Sequence, residues 1–283
     1  MLKIAITGST GLIGSRITEL LKTDFEFIEL VWPEFDLRKK DQIWKALKEL
    51  NFDLLLHLAA YTNVDSAENE KSLAFEINVA GTKNVFDAVY QKKKKLIYIS
   101  TDFVFDGKNP PFYEDSIPHP LSYYAQTKFE AEKIVKNRAM IVRFSYPYRA
   151  KYEIKPDFVK KIKLSLEKKT TLPLISNSLI TPTFIDDIAL SMKHLFNNYS
   201  AEIFHIVGAD SISPYQAGKL IAKMFDLDQQ LISQTSFQEY LSKKAPRPQY
   251  SEIKSKKNNF YRMKTFEEGM AIIKSQIKND KFL

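Results

Sequence analysis

Six short apolar runs recur along the chain, and segments with helical spacing separate them. The runs lie at 2–7, 27–31, 54–58, 96–100, 140–144 and 203–207. They are continuous rather than alternating, which is typical of strands covered on both faces, and strands that alternate with helices form right-handed βαβ units. We therefore predict an α/β fold with a doubly wound parallel Rossmann sheet.

The pattern changes after about residue 144. Prolines interrupt it, and two helical segments, near 157–168 and 214–225, bring few strands with them. We predict a smaller C-terminal substrate lobe over the carboxyl ends of the strands, where open α/β sheets bind ligands. The expected dinucleotide-binding lobe is 1–145 plus about 177–208. The expected substrate lobe is about 146–176 plus 209–283.

A glycine-rich turn follows the first predicted strand directly and opens the first predicted helix. It reads Thr7-Gly-Ser-Thr-Gly-Leu-Ile-Gly14. Gly8 permits a tight turn, Gly11 allows the backbone to approach a pyrophosphate, and Gly14 lets the helix pack closely on the strand. Because free N–H groups at a helix start attract phosphate, this turn predicts a dinucleotide site.

The composition excludes several function classes. The formal charge of +8 suits anionic ligands, but no nucleic-acid-binding module is recognisable, and the dense run Lys92–Lys95 is typical of a helix C-terminus. Without cysteine there is no disulfide or thiolate chemistry. The four histidines lack ligand spacing, so no metal is expected. No apolar run is long enough to span a membrane, and no export signal is recognisable, so a cytoplasmic location is expected.

Cofactor preference should be decided at the end of the second strand. An acidic residue there binds the ribose of NAD, whereas an arginine accommodates the 2′-phosphate of NADP. This chain has Leu30-Val-Trp-Pro33, which offers neither group, so NADPH and NADH both stay open. Trp32 lies near the adenine or only packs, and Asp36 can contact the adenine edges.

Tyr124 and Lys128 are four residues apart in a predicted helix, so both project from one face. A tyrosine is too weak an acid–base group at neutral pH unless a nearby cation favours its phenolate. Lys128 can supply that cation and hold the nicotinamide ribose. Thr101, at the carboxyl end of the fourth strand, can hydrogen-bond the substrate oxygen. An exposed helical pair is the competing interpretation, and the glycine turn earlier in the chain favours catalysis.

The residues resemble the dTDP-4-dehydrorhamnose reductases, which are extended short-chain dehydrogenases. The matching stretches are Ala59–Glu68 (AAYTNVDSAE), Ser100–Gly107 (STDFVFDG) and Tyr124–Lys128 (YAQTK), in family order over nearly the whole chain. The resemblance implies reduction at C4 of a nucleotide-linked 4-keto-6-deoxy sugar by NADPH or NADH, with dTDP-L-rhamnose as product. A homodimer is a possible assembly.

The resemblance also assigns roles by position. Tyr124 would be the proton donor, Lys128 its partner, and Thr101 the ligand of the keto oxygen. The other cofactor-binding positions expected are Gly8, Thr10, Gly11, Leu12, Ile13, Val31, Asp36, Leu37, Ala59, Ala60, Tyr61 and Thr62. The other substrate-binding positions are Asp102, Val104 and Tyr146, the last where the family usually has Trp. We add Arg247 as a ligand of the nucleotide diphosphate, because a guanidinium can grip two phosphate oxygens.

Two features bear on the substrate. The related 4,6-dehydratases carry Thr-Asp-Glu at this strand end, whereas Phe103 follows Thr101-Asp102 here, which favours simple reduction. Most departures from the family pattern, including Ile180 and Tyr250, fall in the predicted substrate lobe. A reductase of another UDP-, GDP- or dTDP-linked keto sugar therefore stays open. A second alternative is a non-catalytic module, because the chain also resembles the regulatory subunit of methionine adenosyltransferase.

Overall fold

The computed structural model describes residues 1–242 and 244–278. Its strands are β1 (Lys3–Thr7), β2 (Glu26–Leu30), β3 (Leu54–His57), β4 (Lys95–Thr101), β5 (Met140–Phe144), β6 (Pro147–Tyr148), β7 (Leu172–Ile175), β8 (Thr183–Phe184), β9 (Ile203–His205) and β10 (Ile232–Thr235). Its α-helices are α1 (Gly14–Leu21), α2 (Lys40–Glu49), α3 (Lys71–Phe75), α4 (Thr82–Gln91), α5 (Tyr123–Val135), α6 (Phe158–Glu167), α7 (Ile185–Asn197), α8 (Pro214–Met224), α9 (Phe237–Leu241) and α10 (Phe266–Lys278).

The central sheet has six parallel strands in the order β2-β1-β3-β4-β5-β9. Helices cover both faces: α1 and α7 pack on one side through residues such as Ile17 and Met192, and α2, α4 and α5 pack on the other through residues such as Val85 and Val135. Strands β1, β3, β4 and β5 are buried on both faces, which explains their continuous apolar sequences, whereas the edge strand β2 is partly exposed. The predicted doubly wound α/β fold is therefore confirmed. The strand order reverses between β1 and β3, where such sheets bind ligands.

A third apolar cluster lies outside this sheet. It joins β6 and β8 to α6, α8 and α10 through residues such as Tyr148, Phe184, Ile221 and Phe266. The prolines that interrupt the sequence pattern leave only short strands here, paired as β6-β8 and β7-β10. This cluster forms the smaller body expected from the sequence. The exact boundaries predicted between the two lobes stay a prediction.

Two local features differ from the sequence interpretation. The segment with helical spacing between the third and fourth apolar runs is not one regular α-helix, because a π-helical turn at Glu76–Gly81 separates α3 from α4. Lys92 was expected to complement the end of its own helix. Its ammonium instead donates to the carbonyl oxygens of Leu47, Lys48 and Leu50, at 2.7–2.9 Å, and so satisfies the end of α2. In residues 1–242 and 244–278, no helix is both long and apolar enough to cross a bilayer.

Candidate active site

A cleft of about 870 Å³ opens where β1, β3, β4 and β5 end. The following residues expected to bind cofactor or substrate line it: Gly8, Thr10, Gly11, Leu12, Ile13, Val31, Asp36, Leu37, Ala59, Ala60, Thr62, Thr101, Asp102, Tyr124, Lys128 and Tyr146. One continuous cavity therefore joins the glycine turn to the tyrosine–lysine pair, as transfer between a dinucleotide and a second ligand requires.

The glycine turn has the geometry of a phosphate cradle. Gly8 adopts a φ of +74°, which L side chains rarely do, and the Gly11 N–H donates to the Gly8 carbonyl at 3.0 Å. At Gly14 a Cβ atom would lie 2.2 Å from that same carbonyl oxygen, so helix and turn could not pack as they do. The turn leads directly into α1, whose N-terminus carries a partial positive charge, although the N–H groups of Ser15 and Ile17 already donate to the carbonyls of Gly11 and Ile13 at 3.0 Å. These residues fit a dinucleotide pyrophosphate.

Gly11→Ala tests that fit. A Cβ atom at Gly11 would contact only the Gly8 carbonyl oxygen, at 3.2 Å, and would otherwise occupy open space. We therefore expect the variant to fold with a melting temperature close to that of the wild type but to bind NADPH more than about tenfold more weakly, because the methyl group obstructs close approach of the pyrophosphate. Fluorescence titration with NADPH and thermal unfolding measure the two quantities. Unchanged affinity for NADPH would show that the pyrophosphate does not bind at this turn.

The segment after β2 forms the far end of the cleft. Trp32 is 73% exposed and lines the cleft, so it does not merely pack in the core. Arg38 binds the Asp36 carboxylate through Nε at 2.9 Å and Nη2 at 2.6 Å, and this hydrogen-bonded pair lowers the pKa of Asp36. Val31 offers no polar side chain. The contact of Asp36 with adenine stays a prediction, and Arg38 is a cation that the sequence interpretation did not consider.

Tyr124 lies in the first turn of α5, which Ser122 caps by accepting a hydrogen bond from the Ala125 N–H. Its side chain is buried, and it lines the cleft together with Thr101. Burial raises the pKa of Tyr124, the charge of Asp102 raises it further, and a hydrogen bond with Thr101 lowers it. The phenol is therefore held protonated, as a proton donor must be before the reaction.

Lys128 lies one turn further along α5 and is also buried in the cleft wall. Its ammonium donates to the carbonyl oxygen of Ile99 at 2.7 Å and lies 4.3 Å from the centre of the Tyr98 ring. Burial lowers the pKa of Lys128 to about 7, although the charge of Glu132 opposes this shift. The sequence predicted that Lys128 would favour the Tyr124 phenolate, but in this structure the pKa of Tyr124 is raised, because burial and the charge of Asp102 outweigh the hydrogen bond with Thr101.

Asp102 links the cleft to a distant part of the chain. The Ser145 hydroxyl donates to its Oδ2 atom at 2.9 Å, the Ser251 hydroxyl donates to the same atom, and Thr101 donates to Oδ1 at 3.0 Å. Burial raises the pKa of Asp102 to about 6, while these three hydrogen bonds oppose the shift. No sequence motif pointed to Ser251, because the contact spans 149 residues.

Tyr146 lines the cleft in a strained backbone conformation. Its φ is +40°, which costs a tyrosine about 1–3 kcal/mol and is most often retained at functional sites. Its ring packs between those of Phe103 and Phe158, with centroid distances of 6.1 and 6.0 Å. Aromatic side chains therefore form the wall where a sugar ring would lie beside Tyr124.

Three predicted site residues do not line the cleft. The Tyr61 hydroxyl donates to Glu70, and Val104 is fully buried in an apolar cluster. The Arg247 guanidinium lies 2.8 Å from the carboxylate of Asp65 and also donates to the backbone carbonyl of Ala245, two residues earlier in the chain. In this arrangement the Arg247 guanidinium is already paired, so its contact with a diphosphate requires a change of partner. The roles of all three stay predictions.

Asn78 is a positioning residue that the sequence interpretation missed. It is buried in the π-helical turn, where its amide accepts a hydrogen bond from the Tyr61 N–H at 2.8 Å and donates to the Tyr61 carbonyl at 3.1 Å. It also donates to Thr127, one residue before Lys128. Asn78 thus fixes the cleft-lining loop relative to α5. A polar residue within an apolar helical pattern was the signal that could have identified it.

Comparisons with known proteins agree with this geometry. The model of the family described as RmlD substrate binding domain matches residues 2–277. A dTDP-4-dehydrorhamnose reductase from Sinorhizobium fredii is 30% identical over 80% of this chain and 79% of its own length. A solved dTDP-4-dehydrorhamnose reductase from Bacillus anthracis, in complex with NADP, is 29% identical, with a TM-score of 0.89 over 96% of this chain and 99% of that chain. Bovine methionine adenosyltransferase 2 subunit beta is 28% identical over 80% of this chain and 72% of its own.

Proposed function

The chain belongs to the RmlD substrate binding domain family, and we propose that it reduces the C4 keto group of dTDP-4-dehydrorhamnose with NAD(P)H, giving dTDP-L-rhamnose. It is an NAD(P)-dependent oxidoreductase of the nucleotide-sugar type, as the similarity to the two dTDP-4-dehydrorhamnose reductases indicates. The observation that carries the proposal is the single cleft that joins the glycine turn to Tyr124, Lys128 and Thr101.

Five residues of the cleft then have a chemical task. The dinucleotide, when bound, supplies the hydride. The Thr101 hydroxyl and the Tyr124 phenol hydrogen-bond the keto oxygen, and Tyr124 donates the proton as negative charge develops there. The ammonium of Lys128 stabilises the tyrosinate that this transfer leaves. Phe103 and Tyr146 exclude water beside the sugar, which strengthens these interactions.

Turnover with a panel of substrates tests the proposal. The full chain is mixed with NADPH or NADH and with dTDP-4-dehydrorhamnose, and loss of absorbance at the reduced nicotinamide band is followed. We expect turnover, with kcat/KM for the dTDP-linked 4-keto-6-deoxy sugar above that for UDP- and GDP-linked keto hexoses. Faster reduction of one of those hexoses would reassign the substrate while retaining the reductase.

A non-catalytic module is the second candidate, because one relative is the beta subunit of methionine adenosyltransferase 2. Such a module would bind a dinucleotide and a partner protein without turnover. Retention of Thr101, Tyr124 and Lys128 in one cleft favours the enzyme. If none of the keto-sugar nucleotides is turned over while NADPH still binds, the non-catalytic module is the better assignment for this protein.

A further inference from the structure

Residues 149–157 cross from the smaller body to the glycine turn, and we call this segment the strap. The Tyr152 hydroxyl donates to the backbone carbonyl of Thr10 at 2.8 Å. Arg149 Nη1 donates to the hydroxyl of Ser15, in the first turn of α1, at 3.0 Å. The strap is therefore hydrogen-bonded both to the turn that fits the pyrophosphate, at Thr10, and to the start of the helix that follows it, at Ser15.

Two lysines on this side of the cleft have no ion pair among the described residues. Lys155 lies in the strap and Lys161 lies in α6, and both are exposed and line the cleft. The neighbouring Lys160 differs, because its ammonium donates to the Tyr152 carbonyl at 2.9 Å. Two solvated ammonium groups therefore border the same cavity as the glycine turn and lack a protein counter-ion there.

Among the described residues, the one carboxylate that the strap and α6 present to the cleft is already engaged. Asp157 caps α6, accepting hydrogen bonds from the Lys160 N–H at 2.9 Å and from the Arg149 N–H at 3.1 Å. The carboxylate of Glu153, also in the strap, is 3.5 Å from the ammonium of Lys151 and does not line the cleft. The charge presented to the cavity by the strap and α6 is therefore positive.

We propose that Lys155 and Lys161 bind the phosphate groups of the dinucleotide from the strap side, while Tyr152 fastens the strap over the glycine turn. This inference rests on the proposed function, which requires NAD(P)H in the cleft. The turn contributes only neutral N–H donors to a pyrophosphate that carries two negative charges. Ammonium groups on flexible stems supply the missing counter-charge without demanding a fixed geometry.

The diphosphate of a nucleotide sugar is a second source of the same chemistry. The dinucleotide is favoured because both tethers of the strap, at Thr10 and Ser15, belong to the turn and to the helix that it opens. The two sources separate experimentally, since NADPH and dTDP can each be titrated alone into the full chain.

Charge removal tests the lysines. We expect Lys155→Gln and Lys161→Gln each to raise the Kd of NADPH about five- to tenfold, and the double variant to multiply the effects, as loss of charge-assisted contacts at a partly solvated site predicts. The Kd of dTDP and kcat at saturating NADPH should not change. Lys168→Gln, at the exposed C-terminal end of the same helix, is the matched control. The differences in NADPH Kd between these variants and the wild type should become smaller at high salt, because solvated charges are screened.

Tyr152→Phe tests the tether independently of charge. Loss of the hydrogen bond to Thr10 should raise the dissociation rate of NADPH about three- to tenfold in stopped-flow fluorescence, without lowering the melting temperature. A double lysine variant that binds NADPH within twofold of the wild type would overturn the proposal. A double variant that binds dTDP more weakly but NADPH with unchanged affinity would also overturn it. If the wild type binds neither NADPH nor NADH, the proposed function itself fails.

Discussion

Tyr124→Phe should lower kcat for keto-sugar reduction about 10²- to 10⁴-fold, because a positioned general acid contributes a factor of that size. The phenol is buried in the cleft, and its raised pKa keeps the proton in place until charge develops on the substrate oxygen. Removing the hydroxyl leaves the ring and its edge-to-face contact with Phe103 intact, at a centroid distance of 6.3 Å. The Kd of NADPH should therefore stay within about threefold of the wild-type value.

Tyr123→Phe provides the matched control. Tyr123 is the preceding residue in α5, but its ring lies against the ammonium of Lys71, 5.4 Å away, and it does not line the cleft. Its substitution should leave kcat unchanged. Steady-state rates at saturating NADPH, with cofactor affinity from fluorescence titration, compare the two variants. A Tyr124→Phe protein that reduces the keto sugar at half the wild-type rate would refute the proton-donor role.

The sequence predicted those parts of the site that depend on local spacing. The continuous apolar runs identified β1, β3, β4 and β5, whose carboxyl ends converge because parallel strands share one direction. The interval of four residues placed Tyr124 and Lys128 on one face of α5, and both line the cleft. These relations follow from the periodicity of helices and strands alone.

Contacts between distant segments escaped prediction. Ser251 reaches Asp102 across 149 residues, and Tyr152 reaches Thr10 across 142. Both contacts depend on how the smaller body packs on the sheet, which no local pattern encodes. The direction of the Tyr124 pKa shift was missed for a related reason: the sequence indicates which charges lie nearby, but burial depends on the whole packed structure. The pairing of Arg247 with Asp65, 182 positions earlier in the chain, is a further instance.

Lys128→Met should yield a protein that is less active and more stable. Loss of the Lys128 ammonium, which lies one helical turn after Tyr124, should lower kcat/KM about 100-fold, since its proposed task is to stabilise the phenolate. The stability of the fold should move the other way, because burial lowers the pKa of the Lys128 amine from 10.5 to about 7. That shift means that the charged amine is costly to bury, and methionine has similar length without the charge.

The pH dependence follows from the same shift. Between about pH 7 and pH 10.5 the unfolded chain binds the proton and the folded chain does not, so the wild type gains stability as pH rises through this window. Below pH 7 both states are protonated, and the folded state carries the full cost of the buried charge. Lys128→Met should therefore gain most below pH 7 and progressively less towards pH 10.5.

The size of the gain is limited by what the substitution removes. The carbonyl of Ile99 loses the donor now 2.7 Å away, a loss of about 1–3 kcal/mol, so we expect a net gain on the order of 1–3 kcal/mol at pH 6. Urea unfolding at pH 6 and pH 9 measures it. Lys133→Met, an exposed residue of the same helix paired with Glu130, should change stability by less than about 0.5 kcal/mol at either pH. If Lys128→Met is destabilised equally at both pH values, the Lys128 side chain contributes to stability through packing. Burial of its charge would then not reduce the stability of the fold.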